Sequence, residues 1–299
     1  IFYQKGGFCK DPLEGQKRFI SSTTDDYLKL LESSEKACSH YSGANIALGI
    51  HSMRGVDATA ILEVARSGPQ DIPFHIHIAE QLKEIEDCTS YLSRRPVEWL
   101  LENIDVTDRF HLVHATHLTL QETIGIAKSG ANVILCPSTE GNLGDGIFPL
   151  IEYQKHHGTW SIGTDSNIGI NPLEELRLLD YGQRLTSHQR DTFSKENGDS
   201  GQYAIEMATI GGRKAMNNKT SKFFKVGEQF NATIFDGTSP LLLTAKNQNL
   251  SSAILFTSNI SDQWGTIING HLKTEDGNHI LSGETQDKFI KTILEIGNR

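Results

Sequence analysis

Pro73-Phe-His-Ile-His-Ile-Ala-Glu80 is a short β-rich run in which apolar and polar side chains alternate before a carboxylate. Side chains on a strand alternate between its faces, so His75 and His77 share one face. Runs of the same kind flank it: Ala44-Asn-Ile-Ala-Leu-Gly-Ile50 before His51, Phe110-His-Leu-Val-His-Ala115, Ala131-Asn-Val-Ile-Leu-Cys136, and Trp160-Ser-Ile-Gly-Thr164 before Asp165. Each reads as a buried strand. Between and around them lie helical patterns, the first expected at about residues 25–38. Pro96 can open a helix that puts Val97, Leu100, Leu101 and Ile104 on one face. Thr119 and Glu122 have capping-box spacing. Asn171-Pro-Leu-Glu174 supplies an N-cap, a proline at the first helical position and an acid, ahead of Leu176 and Leu179. Strands that alternate with helices in this way make βαβ units and a parallel sheet.

His51, His77 with Glu80, His114 and Asp165 all fall at the C-terminal ends of these runs. In a parallel α/β barrel that end is where active sites are built. A doubly wound sheet also uses its strand ends, usually with a Gly-rich phosphate turn after the first strand, and the sequence shows no such turn. The expected fold is therefore a (β/α)8 barrel over residues 1–217. From about Asn218 short β runs separated by turns take over, at residues 225–235, 253–257 and 266–270. They predict a small β-sandwich domain over residues 218–299, closed by a helix at about 287–296. No internal repeat is visible.

A formal charge of −9, with 37% apolar and 22% charged residues, places the chain among ordinary globular proteins. It argues against a nucleic-acid or anionic-membrane surface and leaves room for a local basic pocket that takes a small acidic substrate. No apolar run approaches the ~20 residues of a membrane-spanning helix. The cysteines at 9, 38, 88 and 136 form no CxxC pair and fit a reducing compartment. No signal-peptide pattern is visible in residues 1–17, so a cytoplasmic location is expected.

Four constellations could carry chemistry. In the first, His77 with Glu80 offers a neutral imidazole suited to a metal and a carboxylate close by, although His75 and His77 could equally be hydrogen-bonded core residues. In the second, His111-Leu-Val-His-Ala-Thr-His117, His111 starts the strand and His117 lies beyond its end, so His114 is best placed at the mouth. In the third, Asp165 follows a buried strand, where a carboxylate is costly unless it is paired or bound to a cation. A helix N-cap is its alternative role, but Asn171 already fills that one. In the fourth, His51-Ser-Met-Arg54, the arginine has the planar fork that suits carboxylates, or it is a solvated surface residue. Lys83, Glu84, Glu86 and Asp87 read as a solvated helix face, residues 195–199 as a polar loop, and Phe223 and Phe224 as core. Residues 136–149, rich in Gly and Pro, read as an ordered βα loop of unusual length.

His77 with Glu80, His114-Ala-Thr-His117 and Thr164-Asp-Ser166 resemble strands five, six and eight of the amidohydrolase-superfamily deaminases. Arg95-Pro-Val-Glu-Trp-Leu-Leu101, Ser138-Thr-Glu-Gly-Asn-Leu-Gly-Asp-Gly-Ile-Phe-Pro149 and Glu174-Glu-Leu-Arg-Leu-Leu-Asp-Tyr-Gly-Gln-Arg184 are similar, more narrowly, to the formimidoylglutamate deiminases of histidine degradation. The resemblance covers residues 1–217 well and the remainder weakly. It implies hydrolysis of N-formimidoyl-L-glutamate to N-formyl-L-glutamate and ammonia, by a homodimer with one zinc ion per subunit or another divalent metal. It implies His77 and Asp165 as metal ligands, Glu80, His114 and Asp165 as catalytic groups, and His51 and Arg54 as substrate contacts. The alternatives are another deaminase or cyclic-amide hydrolase of the superfamily, similar to guanine deaminase or imidazolonepropionase, or a non-catalytic ligand-binding barrel.

The chain departs from the family pattern in two places. The family's His-x-His pair, two further metal ligands, has no counterpart before residue 75, and Asn167 stands where the family has His. Only about strands four to eight of the barrel are visible, so an N-terminal part is expected to be missing. Five strands cannot close as eight do. The strands ending at His51 and Thr164 should then expose unpaired backbone, and this chain alone should be inactive or poorly folded.

Overall fold

In the computed structural model, which describes residues 1–41, 43–166, 169–193, 199–218 and 224–297, each of the quoted β-rich runs contains a strand, apart from two near the C-terminus. The chain divides into two units, Ile1–Lys219 and Thr220–Arg299. In the first, β1 (Leu48–Ser52), β2 (Phe74–Ile78), β3 (Phe110–His114), β4 (Asn132–Leu135) and β5 (Thr159–Ile162) lie side by side in chain order. All four pairings are parallel. The alternation expected for β2 is present: Phe74, Ile76 and Ile78 are fully buried, while His75 and His77 are only half-buried on the other face. Register then sets His75 beside His111 and His77 beside Val113.

The helices of this unit are α1 (Thr24–Cys38), α2 (Ala58–Ser67), α3 (Leu82–Leu92), α4 (Pro96–Asn103), α5 (Leu120–Ser129), α6 (Pro137–Leu143), α7 (Leu150–Lys155), α8 (Pro172–Ser187) and α9 (Ser200–Ala215). Their starts follow the capping chemistry in the sequence. Thr119 Oγ1 accepts from Glu122 N at 3.2 Å while Thr119 N donates to Glu122 Oε2 at 2.7 Å, a reciprocal box that opens α5. Asn171 Oδ1 accepts from Leu173 N and Glu174 N and opens α8. Each such cap is worth about 1 kcal/mol. On α4, Val97 and Leu100 are fully buried, each stabilising the unit by roughly 1.5–3 kcal/mol.

Two features of this unit differ from expectation. The outer edge of β1 is not bare: Phe2 makes a parallel bridge to Ile50, with Phe2 N donating to Gly49 O at 2.6 Å and His51 N to Phe2 O at 2.9 Å. Residues 136–149 are not one loop, because α6 fills the first half and ends on Gly144 in the left-handed region at φ +70°.

Among the described residues, the second unit holds one antiparallel sheet rather than a sandwich. Its strands β6 (Ala232–Phe235), β7 (Gln263–Ile268), β8 (His271–Glu275) and β9 (Asn278–His279) follow one another in order. Asn269 and Gly270, both at positive φ, turn β7 into β8, as an Asn-Gly hairpin does. The helices are α10 (Pro240–Leu243), α11 (Leu250–Thr257) and α12 (Ser282–Gly297). Residues 253–257, expected as a strand, belong to α11. A short apolar run suits a buried strand or a helix equally, and periodicity does not separate them. Residues 266–270 contribute only the end of β7 and its turn. Phe224 is 75% exposed rather than core. Phe223, the loop at 195–198 and Asn167 lie outside the described residues. Among the described residues, no helix is long and apolar enough to cross a membrane.

Candidate metal centre at the strand ends

Because the five strands run parallel, their C-terminal ends share one rim. The backbone turns sharply there: Ala79, His114, Ala115 and Asp165 all sit in the left-handed region, at φ 53°, 68°, 49° and 49°. Non-glycine residues adopt that region at a cost of order 1–3 kcal/mol, and such residues collect at functional sites.

His77 points its Nδ1 at the backbone carbonyl of His51, 2.7 Å away. A carbonyl only accepts, so the proton is on Nδ1 and the lone pair on Nε2. That Nε2 faces Asp165 Oδ1 at 3.8 Å. When its Nε2 carries a second proton, the facing His77 ring, followed by the Ser166 backbone N–H, holds the Asp165 carboxyl down at about 2 against the effect of burial. His114 stacks its ring 5.6 Å from that of His77. Its Nδ1 lies 3.3 Å from Glu140 Oε1, and its Nε2 lies 3.8 Å from Glu80 Oε1. Burial is the largest single influence on His114 and opposes protonation, but Glu140, Glu80 and Asp165 together outweigh it and raise its pKa.

The ligand-capable atoms of His77, His114 and Asp165 all lie within 4.8 Å of one another. His114 Nε2 is the telling atom, because it is buried from solvent and has no hydrogen-bond partner. A bare imidazole nitrogen enclosed beside a second one and a carboxylate is costly unless a cation or proton satisfies it. Two imidazoles and a carboxylate are also the donor types that zinc takes. The residues fit the group.

Around this cluster, Glu80 is buried and its Oε2 accepts from Arg54 Nη2 at 2.7 Å. Arg54 is thus engaged with a site carboxylate rather than held free at the surface. His51 lies with its ring centroid 5.8 Å from that of His77, stacks on Tyr3 at 4.3 Å, and is pushed down to about 4, chiefly by burial and then by His77 and Arg54. It is neutral at neutral pH. Glu84, expected on a solvated face with Lys83, Glu86 and Asp87, is instead buried, and its Oε2 accepts from Glu80 N at 3.0 Å. Burial raises its pKa.

His75, His111 and His117 do not belong to this ligand cluster. His75 is bonded to Ala215 O at 2.9 Å and stacks on His111, whose Nδ1 lies 3.1 Å from Asn132 Nδ2. His117 lies beyond β3 and its carbonyl accepts from Arg95 Nη2 at 2.6 Å.

The sequence gives no role to Glu140 or Tyr3 and places Glu84 on the wrong face. Glu140 had a visible signal, an acid in the first turn of a helix opened by Pro137 directly after a strand.

A parallel sheet whose strand ends bring two imidazoles and a carboxylate together is the plan of an α/β protein with its active site at the C-terminal rim. The chain belongs to the amidohydrolase family, whose sequence profile matches residues 20–273. It is 36% identical over 298 residues to a formimidoylglutamate deiminase from Pseudomonas aeruginosa, spanning 99% of this chain and 65% of that protein. Among solved structures it is similar to an amidohydrolase from Brucella melitensis, with a TM-score of 0.90 at 36% identity, covering 98% of this chain and 64% of that one. An adenosine deaminase from Xanthomonas campestris, solved with bound zinc, shares the fold at a TM-score of 0.76 and 21% identity, over 87% of this chain and 58% of that one. The chain thus spans less than two thirds of the proteins it matches.

Proposed function

We propose that the rim of β1–β5 is the site of a metal-dependent deiminase that hydrolyses N-formimidoyl-L-glutamate to N-formyl-L-glutamate and ammonia. One observation carries this reading, the bare and buried His114 Nε2 grouped with His77 and Asp165 and facing Glu80. The identity to the Pseudomonas aeruginosa deiminase supports the choice of substrate. The arrangement of five strands also supports their assignment to strands four to eight of a (β/α)8 barrel.

His77 and Asp165 would hold a zinc-like ion, with His114 Nε2 directed at the same point. Such an ion supplies Lewis acidity, lowering the pKa of water to about 7. The chain's own groups do the rest. His114 and Asp165 orient the attacking water and take its proton as it adds to the amidine carbon. Glu80 delivers a proton to the imine nitrogen. The proton taken from water then passes to the resulting amine while the adduct's hydroxyl returns its proton to Glu80, so the carbon–nitrogen bond breaks, ammonia leaves and the formyl oxygen stays on the product. Proton delivery of this kind contributes ~10²–10⁴ in rate. His51 and Arg54 line the substrate side, and Arg54 supplies the cation for a glutamate carboxylate. The cysteines at 9, 38, 88 and 136 are all free, which supports a reducing, cytoplasmic setting.

The test is ammonia release by the whole protein from N-formimidoyl-L-glutamate, with guanine as a parallel substrate and ring opening of imidazolonepropionate assayed alongside. Turnover of the first that is lost on chelation and restored by zinc is expected. Turnover of guanine or imidazolonepropionate in its place would move the site to another deaminase or cyclic-amide hydrolase.

A further inference from the structure

His114 ends β3 with its ring wholly enclosed, so both of its nitrogens have to be satisfied from within the fold. Glu140, itself 4% exposed, reaches Nδ1 from α6. Its carboxylate is pinned in place, because Oε1 accepts from Cys136 N at 2.9 Å while Glu140 N donates back to Cys136 O at 2.9 Å. An ionised carboxylate accepts and does not donate. The hydrogen on the His114–Glu140 contact therefore belongs to His114 Nδ1, and in the neutral ring the lone pair is left on Nε2, the atom that no protein group satisfies. His77 is treated in parallel fashion by the His51 carbonyl. Both rings thus give Nδ1–H to a fixed acceptor and present Nε2 to the cluster.

We propose that Glu140 is a positioning residue: it fixes His114 in the Nδ1–H tautomer and aims the free Nε2 at the point shared with His77 and Asp165. Partners of this kind beyond the ligands themselves are worth 10–100-fold in metal affinity or activity. The kinetic consequence rests on the deiminase reading, whereas the tautomer does not.

The experiment is ¹⁵N NMR of histidine-labelled, metal-free protein above neutral pH, with the His114 signals assigned by their loss in His114→Gln. The Nδ1–H form is expected for His114 in the unaltered protein. Glu140→Gln should keep it, since the amide oxygen can accept from both His114 and Cys136, and should retain most of kcat. Glu140→Ala should give a mixture of tautomers and a kcat about 10–100-fold lower, with KM changed little. An Nε2–H form in the unaltered protein would overturn the proposal, and that measurement needs no variant to fold. An unchanged tautomer in folded Glu140→Ala would overturn it equally. If N-formimidoyl-L-glutamate is not turned over at all, the deiminase reading falls and the tautomer result still decides the role of Glu140.

Discussion

Replacing Glu80 by glutamine removes the ionisable group and leaves the shape of the side chain almost unchanged. Its Oε2 takes Arg54 Nη2 at 2.7 Å and its Oε1 faces His114 Nε2 at 3.8 Å, so the carboxylate lies between a fixed cation and the metal cluster. An amide at this position can still accept from Arg54 but cannot carry a proton to nitrogen. If Glu80 delivers that proton, kcat should fall by ~10²–10⁴, equivalent to about 3–5 kcal/mol of barrier at 1.36 kcal/mol per decade. The structural cost should be smaller. Breaking a fully buried ion pair costs about 3–5 kcal/mol, but the Arg54 side chain is 32% exposed and keeps a neutral acceptor, which brings the loss to about 1–2 kcal/mol. The assay is steady-state ammonia release, with zinc per chain measured by mass spectrometry and unfolding followed by circular dichroism. Full zinc occupancy, a native melting curve and a kcat within threefold of the parent would remove Glu80 from proton transfer.

The remaining expectations are briefer. Asp165→Asn keeps the size of the side chain but surrenders the charge that faces His77, so zinc per chain should drop at least tenfold in equilibrium dialysis; unchanged occupancy would take Asp165 out of the ligand set. Burial pushes His111 down to about 3, so between pH 6.5 and that value the unfolded chain binds a proton that the folded chain refuses. Stability should therefore be full above pH 6.5 and decline as the pH falls, by about 2–3 kcal/mol at pH 4.5. Asp165, depressed to about 2, loses its contribution only as the pH falls below about 4, outside that window. Urea midpoints at pH 7.5 and 4.5 check the slope, and His111→Gln should reduce it by the His111 share, leaving that of His51, which burial lowers to about 4. A Cβ on Gly55 would come within 2.8 Å of the Tyr3 ring and 2.9 Å of His51 Nδ1. Gly55→Ala should then cost ~1–3 kcal/mol of stability and raise KM, read from thermal melts and substrate titration.

Much of the rim was legible because two local codes agree on it. The period-two alternation of 73–79 places His77 on a strand face, and the caps at Thr119 and Asn171 mark the starts of helices α5 and α8. What was missed depended on partners distant in sequence or on a face misjudged. Charge alone groups Glu84 with Lys83 and Asp87, yet one residue turns a helix by about 100°. Lys83 pairs with Asp87 in solvent, while Glu84 shares a buried stripe with Ile85 and Cys88. Glu140 carries a local cap signature, but its partner His114 is 26 residues away and no short-range pattern links them. Phe2 shields β1 through a bridge to a residue far along the chain. Residues 253–257 suit a strand as well as the helix they form, because a short apolar run carries no phase.

The left-handed backbone at His114 and Asp165 also narrows the set of side chains those sites can host. Aspartate and asparagine visit that conformation more readily than other residues with a side chain, and glycine enters it freely. A library randomised at codon 165 should therefore be dominated, among well-folded clones, by Asp, Asn and Gly. Selection for folding alone would then keep inert proteins beside the parent, and any search for altered chemistry at this rim has to screen for turnover from its first round.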